Sequence, residues 1–194
     1  LVYASDIEIQ HMPVKLHSGR DFAALERVLN TKGTLPDRLF SMYAKELFIS
    51  GSGKDFTTAV EWFKKRSLEE SVPEEKRREA TCVVAKTHAV SGDWEKFFGE
   101  ALPVIATGRN IPAELYFMLG EYYEKADPAQ AVTWYTKAAF EAECYVCISY
   151  GGAAALKEAV RLLKEQGRTE ESYALAKELS KVKTTTTDEL YKVA

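Results

Sequence analysis

The chain has 194 residues, 46% hydrophobic and 28% charged, a balance that suits a folded protein and excludes a disordered one. A formal net charge of -3 offers no global attraction to nucleic acid or to an anionic membrane, and no apolar run approaches the roughly 20 residues needed to cross a bilayer. Nucleic acid and membrane insertion are therefore not expected. Three cysteines, an odd number, speak against a disulfide framework and for a reducing compartment, so a cytoplasmic location is expected.

In chain order, "LVYASDIEIQHMPVK" lacks both an initiator Met and a basic-then-apolar leader pattern, as expected of a fragment or a processed chain. A helical apolar period covers 3–17 and is less regular than those that follow. "SGRDFAALERVL" comes next, with Asp21 opening a run that is apolar at i, i+3, i+4 and i+7. Helical stretches then cover 36–49, 73–90, 112–125 and 153–166, and each leads into a second one. Those second stretches are "DFTTAVEWFKKRS" from Asp55, "SGDWEKFFGEALPVI" with Asp93, "DPAQAVTWYTKAA" from Asp127, and "EQGRTEESYALAKELSKV", where Thr169 takes the place of the Asp cap. Pro36, Pro73 and Pro112 open their stretches where a proline costs no hydrogen bond, and Pro128 follows the cap residue Asp127. Strand pattern is confined to "CYVCISY" at 144–150, within the irregular extra segment "ECYVCISYGG". The expected fold is all-α, with about five helix pairs over 1–183 and a tail or linker over 184–194, whose four-threonine run is a poor helix former.

Internal repetition organises these stretches. "DFTTAVEWFKKRS" and "DPAQAVTWYTKAA" coincide at 55/127, 59–60/131–132, 62/134, 63/135 and 65/137, an offset of 72 residues, or two units of about 36. An isolated helix pair cannot bury both apolar faces, whereas stacked pairs share one continuous core. In "YFMLGEYYEKADPAQAVTWYTKAA", Tyr116, Leu119, Gly120, Tyr123, Ala131, Tyr135 and Ala138 stand in an order that resembles the tetratricopeptide repeat, and "AQAVTWYTKAA" resembles the second helix of a Sel1-like repeat. The second unit keeps Ala44, Leu47, Ala59 and Phe63 but has Arg66 where a small residue is usual. This resemblance implies an α-solenoid of antiparallel pairs in a right-handed superhelix, with small residues at close helix contacts. Trp62, Tyr123, Trp134 and Tyr135, at helical spacing, are expected in the core.

Four motifs invite a chemical reading, and each has a plainer one. "GSGK" at 51–54 lacks the rest of a phosphate loop: Phe48 stands where the first glycine belongs, and Asp55 follows Lys54 where a hydroxyl belongs. It is expected to be a bend, with Gly51 and Gly53 ending one helix in a left-handed turn and Asp55 capping the next. Cys144 and Cys147 have the spacing of a redox pair or half a zinc site, but only Cys82 and His88 offer further ligands, so buried small side chains are expected. His11, His17 and His88 are scattered, and no metal site or catalytic residue is assigned. "SLEESVPEEKRREA" at 67–80 reads as a solvated helix start, and "KKR" at 64–66 is too short for a nucleic-acid patch.

What the resemblance implies is a non-catalytic module without cofactor, holding a protein or peptide in a concave groove lined by the first helix of each pair. The expected groove residues are Arg38, Ser41, Lys45 and Phe48 in the second unit, Lys86 in the third, and Glu114, Phe117 and Glu121 in the fourth. With no Asn among the corresponding positions and an acidic fourth unit, a clamp for a C-terminal carboxylate is not expected; a ligand of mixed charge with an apolar middle is. The alternative is an architectural solenoid segment of a multi-subunit assembly, and a third reading is a regulatory domain of an enzyme. A groove binder should expose apolar surface near Phe48, Ala89 and Phe117, and a scaffold near 1–17 or 169–194. The oligomeric state is left open.

Overall fold

The computed structural model describes residues 20–181, so the predicted stretch 3–17, His11, His17 and the tail 184–194 lie outside the described residues. Within them the chain is all-helical: α1 (Arg20–Lys32), α2 (Asp37–Ser50), α3 (Gly53–Leu68), α4 (Glu74–Val90), α5 (Trp94–Ala106), α6 (Ala113–Tyr123), α7 (Pro128–Phe140), α8 (Gly152–Glu165) and α9 (Thr169–Lys181). Among the described residues, extended pairing is limited to one isolated parallel bridge, Pro112 with Glu143, and a single 3-10 turn covers Ile148–Tyr150.

The helix boundaries follow from local chemistry. Pro36, Pro73 and Pro112 stand at the N-caps of α2, α4 and α6, where a fixed φ and a missing N–H carry no penalty. Asp93 and Asp127 cap α5 and α7 by accepting from the backbone N–H of Lys96 (3.3 Å) and Gln130 (3.0 Å). The start of α3 corrects the expectation. The N-cap is Ser52, and Asp55 is the third helical residue, accepting from the Ser52 N–H at 2.8 Å in a capping box. Nor is the bend left-handed: Gly51 is extended (φ -67, ψ 135), and Gly53 already lies in α3. Glycine is needed at 51 because a Cβ there would lie 2.6 Å from the Leu47 carbonyl oxygen. "GSGK" is thus a helix start held by its own side chains.

Helices that follow one another pack closely from α3 to α5 and from α6 to α9, and α4 also packs against both α2 and α6. Where α2 faces α3, and where α5 faces α6, aromatic side chains bridge the gap: Tyr43 with Phe63 (5.5 Å between centroids) and Trp94 with Tyr122 (4.9 Å). The core falls into three linked clusters. The first joins α1 to α4 around Phe40, Tyr43, Leu47 and Phe63. The second joins α4 to α8 around Phe97, Ala113, Leu115, Met118 and Leu119. The third seats Ala131 and Tyr135 of α7 against Ala159 and Leu162 of α8. Each wholly buried large apolar side chain contributes on the order of 1.5–3 kcal/mol.

Two details refine the reading of small residues. Gly120 makes room for an aromatic ring, since a Cβ there would meet Tyr135 at 2.6 Å. Arg66, at the position that Ala138 holds in the matching stretch, is buried. Its Nη2 donates to Asp37 Oδ1 at 2.6 Å, and its guanidinium lies 4.4 Å from the centre of the Phe40 ring.

Candidate functional site

The expected groove residues all come from α2, α4 and α6, the three helices that neighbour one another through α4. The structure divides them into three groups. Arg38 and Lys45 are exposed on α2 and form no ion pair among the described residues. Met42 and Ile49, both more than half exposed, share that helix at i, i+3, i+7 spacing with Lys45. Ser41 is committed elsewhere: its hydroxyl donates to Glu79 Oε2 (3.0 Å) and accepts from Lys76 Nζ (3.1 Å), tying α2 to α4. Burial raises the pKa of Glu79, opposed by the Ser41 hydrogen bond and by Lys76.

The remaining five, Phe48, Lys86, Glu114, Phe117 and Glu121, converge on a segment that spacing alone did not place. Residues 141–151, the link from α7 to α8, run as a strap across α6 and reach α2 and α4. The Ala113 N–H donates to the Glu143 carbonyl (2.9 Å), which sets the strap beside the start of α6. Three successive backbone N–H groups then point at one carboxylate. Glu114 Oε1 accepts from Tyr145 (3.0 Å), Val146 (2.7 Å) and Cys147 (2.9 Å). Glu114 is wholly buried and makes no ion pair among the described residues. Its charge is met by main-chain dipoles, each such charge-assisted bond contributing on the order of 1.5–3 kcal/mol.

After one 3-10 turn the strap delivers Tyr150 between α2 and α6. Its ring meets Phe48 at 5.1 Å and Phe117 at 4.9 Å, both edge-on, and the Lys86 ammonium stands 5.1 Å from the ring centre. Lys86 also reaches Glu121 (3.4 Å). Burial works against the Lys86 ammonium, but Glu121 and the Tyr150 hydroxyl outweigh it and hold its pKa above the ordinary lysine value. Burial likewise raises the pKa of Tyr150, against the pull of Lys86. The strap ends at Gly151, where a Cβ would meet Cys144 Sγ at 2.6 Å, and at Gly152, whose φ of +47 belongs to the left-handed region that favours glycine.

The cysteines lie under and within this strap. Burial, and then the Glu114 charge, push the Cys144 thiol up to about 12 and the Cys82 thiol well above its ordinary value. Both stay protonated near neutrality, which makes them poor nucleophiles. Among the described residues no three His, Cys, Asp or Glu side chains converge to hold a metal ion, and no helix is long and apolar enough to cross a membrane. Two open depressions of about 360 and 330 Å³ flank the strap, sharing Asn110, Glu143 and Tyr145 in their walls.

Exposed apolar side chains follow neither expected pattern alone. Phe48 and Phe117 are partly covered by Tyr150, and the exposed ones are spread over the described residues: Met42 and Ile49 on α2, Leu68 on α3, Val90 on α4, Leu102 on α5, Phe140 on α7, Ile148 on the strap, and Tyr173 on α9. The residues that sequence reasoning missed are Val146, which packs on both of the first two clusters, and Tyr150. The available signal was a lone carboxylate in the apolar run "AELYFMLG" and a non-helical insertion rich in β-branched and aromatic residues. No family model, curated protein or solved structure matches the chain.

Proposed function

We propose that this chain is a non-catalytic protein–protein interaction module: a tetratricopeptide-like solenoid with Sel1-like features that holds a peptide or partner helix on the face formed by α2, α4 and α6. In this reading α2–α3, α4–α5, α6–α7 and α8–α9 are the repeat pairs, and α2, α4, α6 and α8 are their first helices. The observation that carries the proposal is that a non-helical stretch of polypeptide, bent at 145–146, already lies on this face, held by main-chain hydrogen bonds to Glu114 and by an aromatic slot. Peptide-binding faces combine these same elements, backbone bonds for affinity and pockets for selectivity. The part left open is the α2 edge, with Arg38, Met42, Lys45 and Ile49 exposed. With Glu121 toward the other end, this edge suits a ligand that is acidic at one end and apolar in the middle.

The test begins with affinity capture from the native source, followed by direct titration of the purified partner. Replacing Arg38 and Lys45 together by Glu should weaken binding about 10-fold or more and make it less salt-sensitive. A partner whose affinity is unmoved by that double variant binds another surface. The architectural alternative has one observation of its own: Tyr173 on α9 is 76% exposed, the largest exposure among the large apolar side chains of the described residues. If the array packs end-on in an assembly, Tyr173→Asp should dissolve that association in sedimentation and leave Arg38 and Lys45 irrelevant to it.

A further inference from the structure

We infer that residues 143–150 are an internal ligand of the face formed by α2, α4 and α6, and that the partner segment which replaces them is a peptide that takes the same bent, non-helical conformation. It carries three consecutive backbone N–H groups for Glu114 and, three residues after the last of them, an aromatic side chain for the slot between Phe48 and Phe117. This inference rests on the interaction-module reading and states both the partner's chemistry and how access to the face is regulated.

Three observations support it. First, Glu114 recognises the strap only through main-chain N–H groups, at 2.7–3.2 Å, which the bend at 145–146 turns to the same side, so any segment that takes this bend without proline at those three places supplies the same donors. Second, Glu114 is wholly buried without a cation partner among the described residues, so its carboxyl oxygens take their hydrogen bonds from whichever backbone lies over them. Third, no residue from 141 to 150 is fully buried, and none belongs to the buried set of the three core clusters. The strap lies on the core and is not part of it, so its departure leaves the helix packing in place. The aromatic slot is the selective element, because the Tyr150 ring sits between two phenylalanines and under a lysine whose position is fixed by Glu121.

Tethering at both ends makes the strap a strong competitor. A short tether gives an effective concentration on the order of millimolar, so a separate peptide with a Kd near 10 μM for the bare face binds the closed protein about 100-fold more weakly. Partner binding is therefore gated: a segment must exceed the strap's own fit to enter.

The experiment uses a variant with residues 143–150 replaced by the eight residues GSPPPGSG, which removes the three N–H donors at 145–147 and the aromatic ring at 150, and the synthetic peptide AECYVCISYG, under reducing conditions. The peptide should bind the variant and bind the wild-type protein about 100-fold more weakly. Within the peptide, replacing the residue that corresponds to Val146 by Pro, or Tyr150 by Ala, should each weaken binding at least 10-fold. A folded variant that fails to bind the peptide, or equal binding to variant and wild type, overturns the inference. Should the replaced protein not fold, Tyr150→Ala in the intact chain serves instead. Labelling of Cys144 by a thiol-reactive dye, located by peptide mass, should accelerate at least 10-fold while helix content is kept, and an unchanged rate overturns the inference. None of these measurements needs the natural partner. Failure of the Arg38 and Lys45 variant would count against the interaction reading, whereas failure here would count against the strap as a ligand.

Discussion

The α2–α3 and α6–α7 pairs carry matching residues at an offset of 72, yet they begin their second helices and fill their crossings differently. Ala59 and Ala131 are both fully buried, as are Phe63 and Tyr135, so the shared positions do the same packing work. The aligned aspartates diverge. Asp127 is an N-cap followed by a proline that fixes the first helical residue, whereas Asp55 lies inside α3 because Ser52, three residues earlier, offers a reciprocal capping box. The second difference is Arg66 against Ala138. A long cation occupies the small-residue position because Asp37, at the start of α2, and the Phe40 ring receive it. A repeat position is thus defined by what its neighbours can accept, and the residue type follows from that.

The largest expected effect comes from carrying that difference across. Ala138→Arg would bury a guanidinium where Asp37 and Phe40 have no counterpart in contact, and should cost at least about 3 kcal/mol by urea unfolding. If the variant is as stable as wild type, the Asp37–Phe40 reception is not what makes Arg66 acceptable. Next come two glycines. Gly120→Ala sets a methyl 2.6 Å from the buried Tyr135 ring and should cost about 1–3 kcal/mol. Gly53→Ala meets nothing within 4 Å at the first position of α3 and should stabilise by about 0.4–1 kcal/mol. Equal effects at the two sites would show that neither packing nor chain entropy separates them.

Smaller effects test the helix starts. Ser52→Ala and Asp127→Ala should each cost about 1 kcal/mol, and Asp55→Ala should cost no more than Ser52→Ala if the two act as one box. The smallest effect is in the pH dependence. Hydrogen bonds from the Ser52 side chain, and then from its backbone N–H, hold the Asp55 carboxyl below its ordinary value of 3.8. Its folded pKa lies below the unfolded one, so its contribution is present above about pH 4 and is lost as the pH falls through the folded value. Asp55→Asn should flatten that part of the acid stability curve. Asp55 is only partly buried, at an open helix start, so the change is small, and an unaltered acid limb would mean that the box contributes nothing in solution.

Much of this organisation was legible in the sequence because it depends on near neighbours. The proline openings at 36, 73 and 112, the Asp93 and Asp127 caps and the apolar period each involve residues within a turn or two. Even the Ser52–Asp55 box was readable as a serine with an acid three residues on, and was hidden only by aligning Asp55 with Asp127. The face was legible in part. Phe48, Lys86, Glu114, Phe117 and Glu121 were named, and they do gather in one place. The strap was not readable. Glu114 meets residues more than 30 positions away through their backbone, and backbone donors leave no trace in side-chain identity. Only the failure of helical period at 143–152 marked the place.

The contact between Phe48 and Tyr150 also bears on how fast the molecule assembles. Most packing here joins helices adjacent along the chain, and such local contacts form early and quickly. Tyr150 must instead find a ring about 100 residues back, and the slot that receives it exists only once α2, α4 and α6 have stacked. Strap closure should therefore be the last kinetic phase of refolding, visible as late quenching or shift of tyrosine emission after far-UV ellipticity is complete. During that interval the chain would be helical, with the face formed by α2, α4 and α6 still uncovered, and newly made protein would pass through the open form once before its own segment closed it.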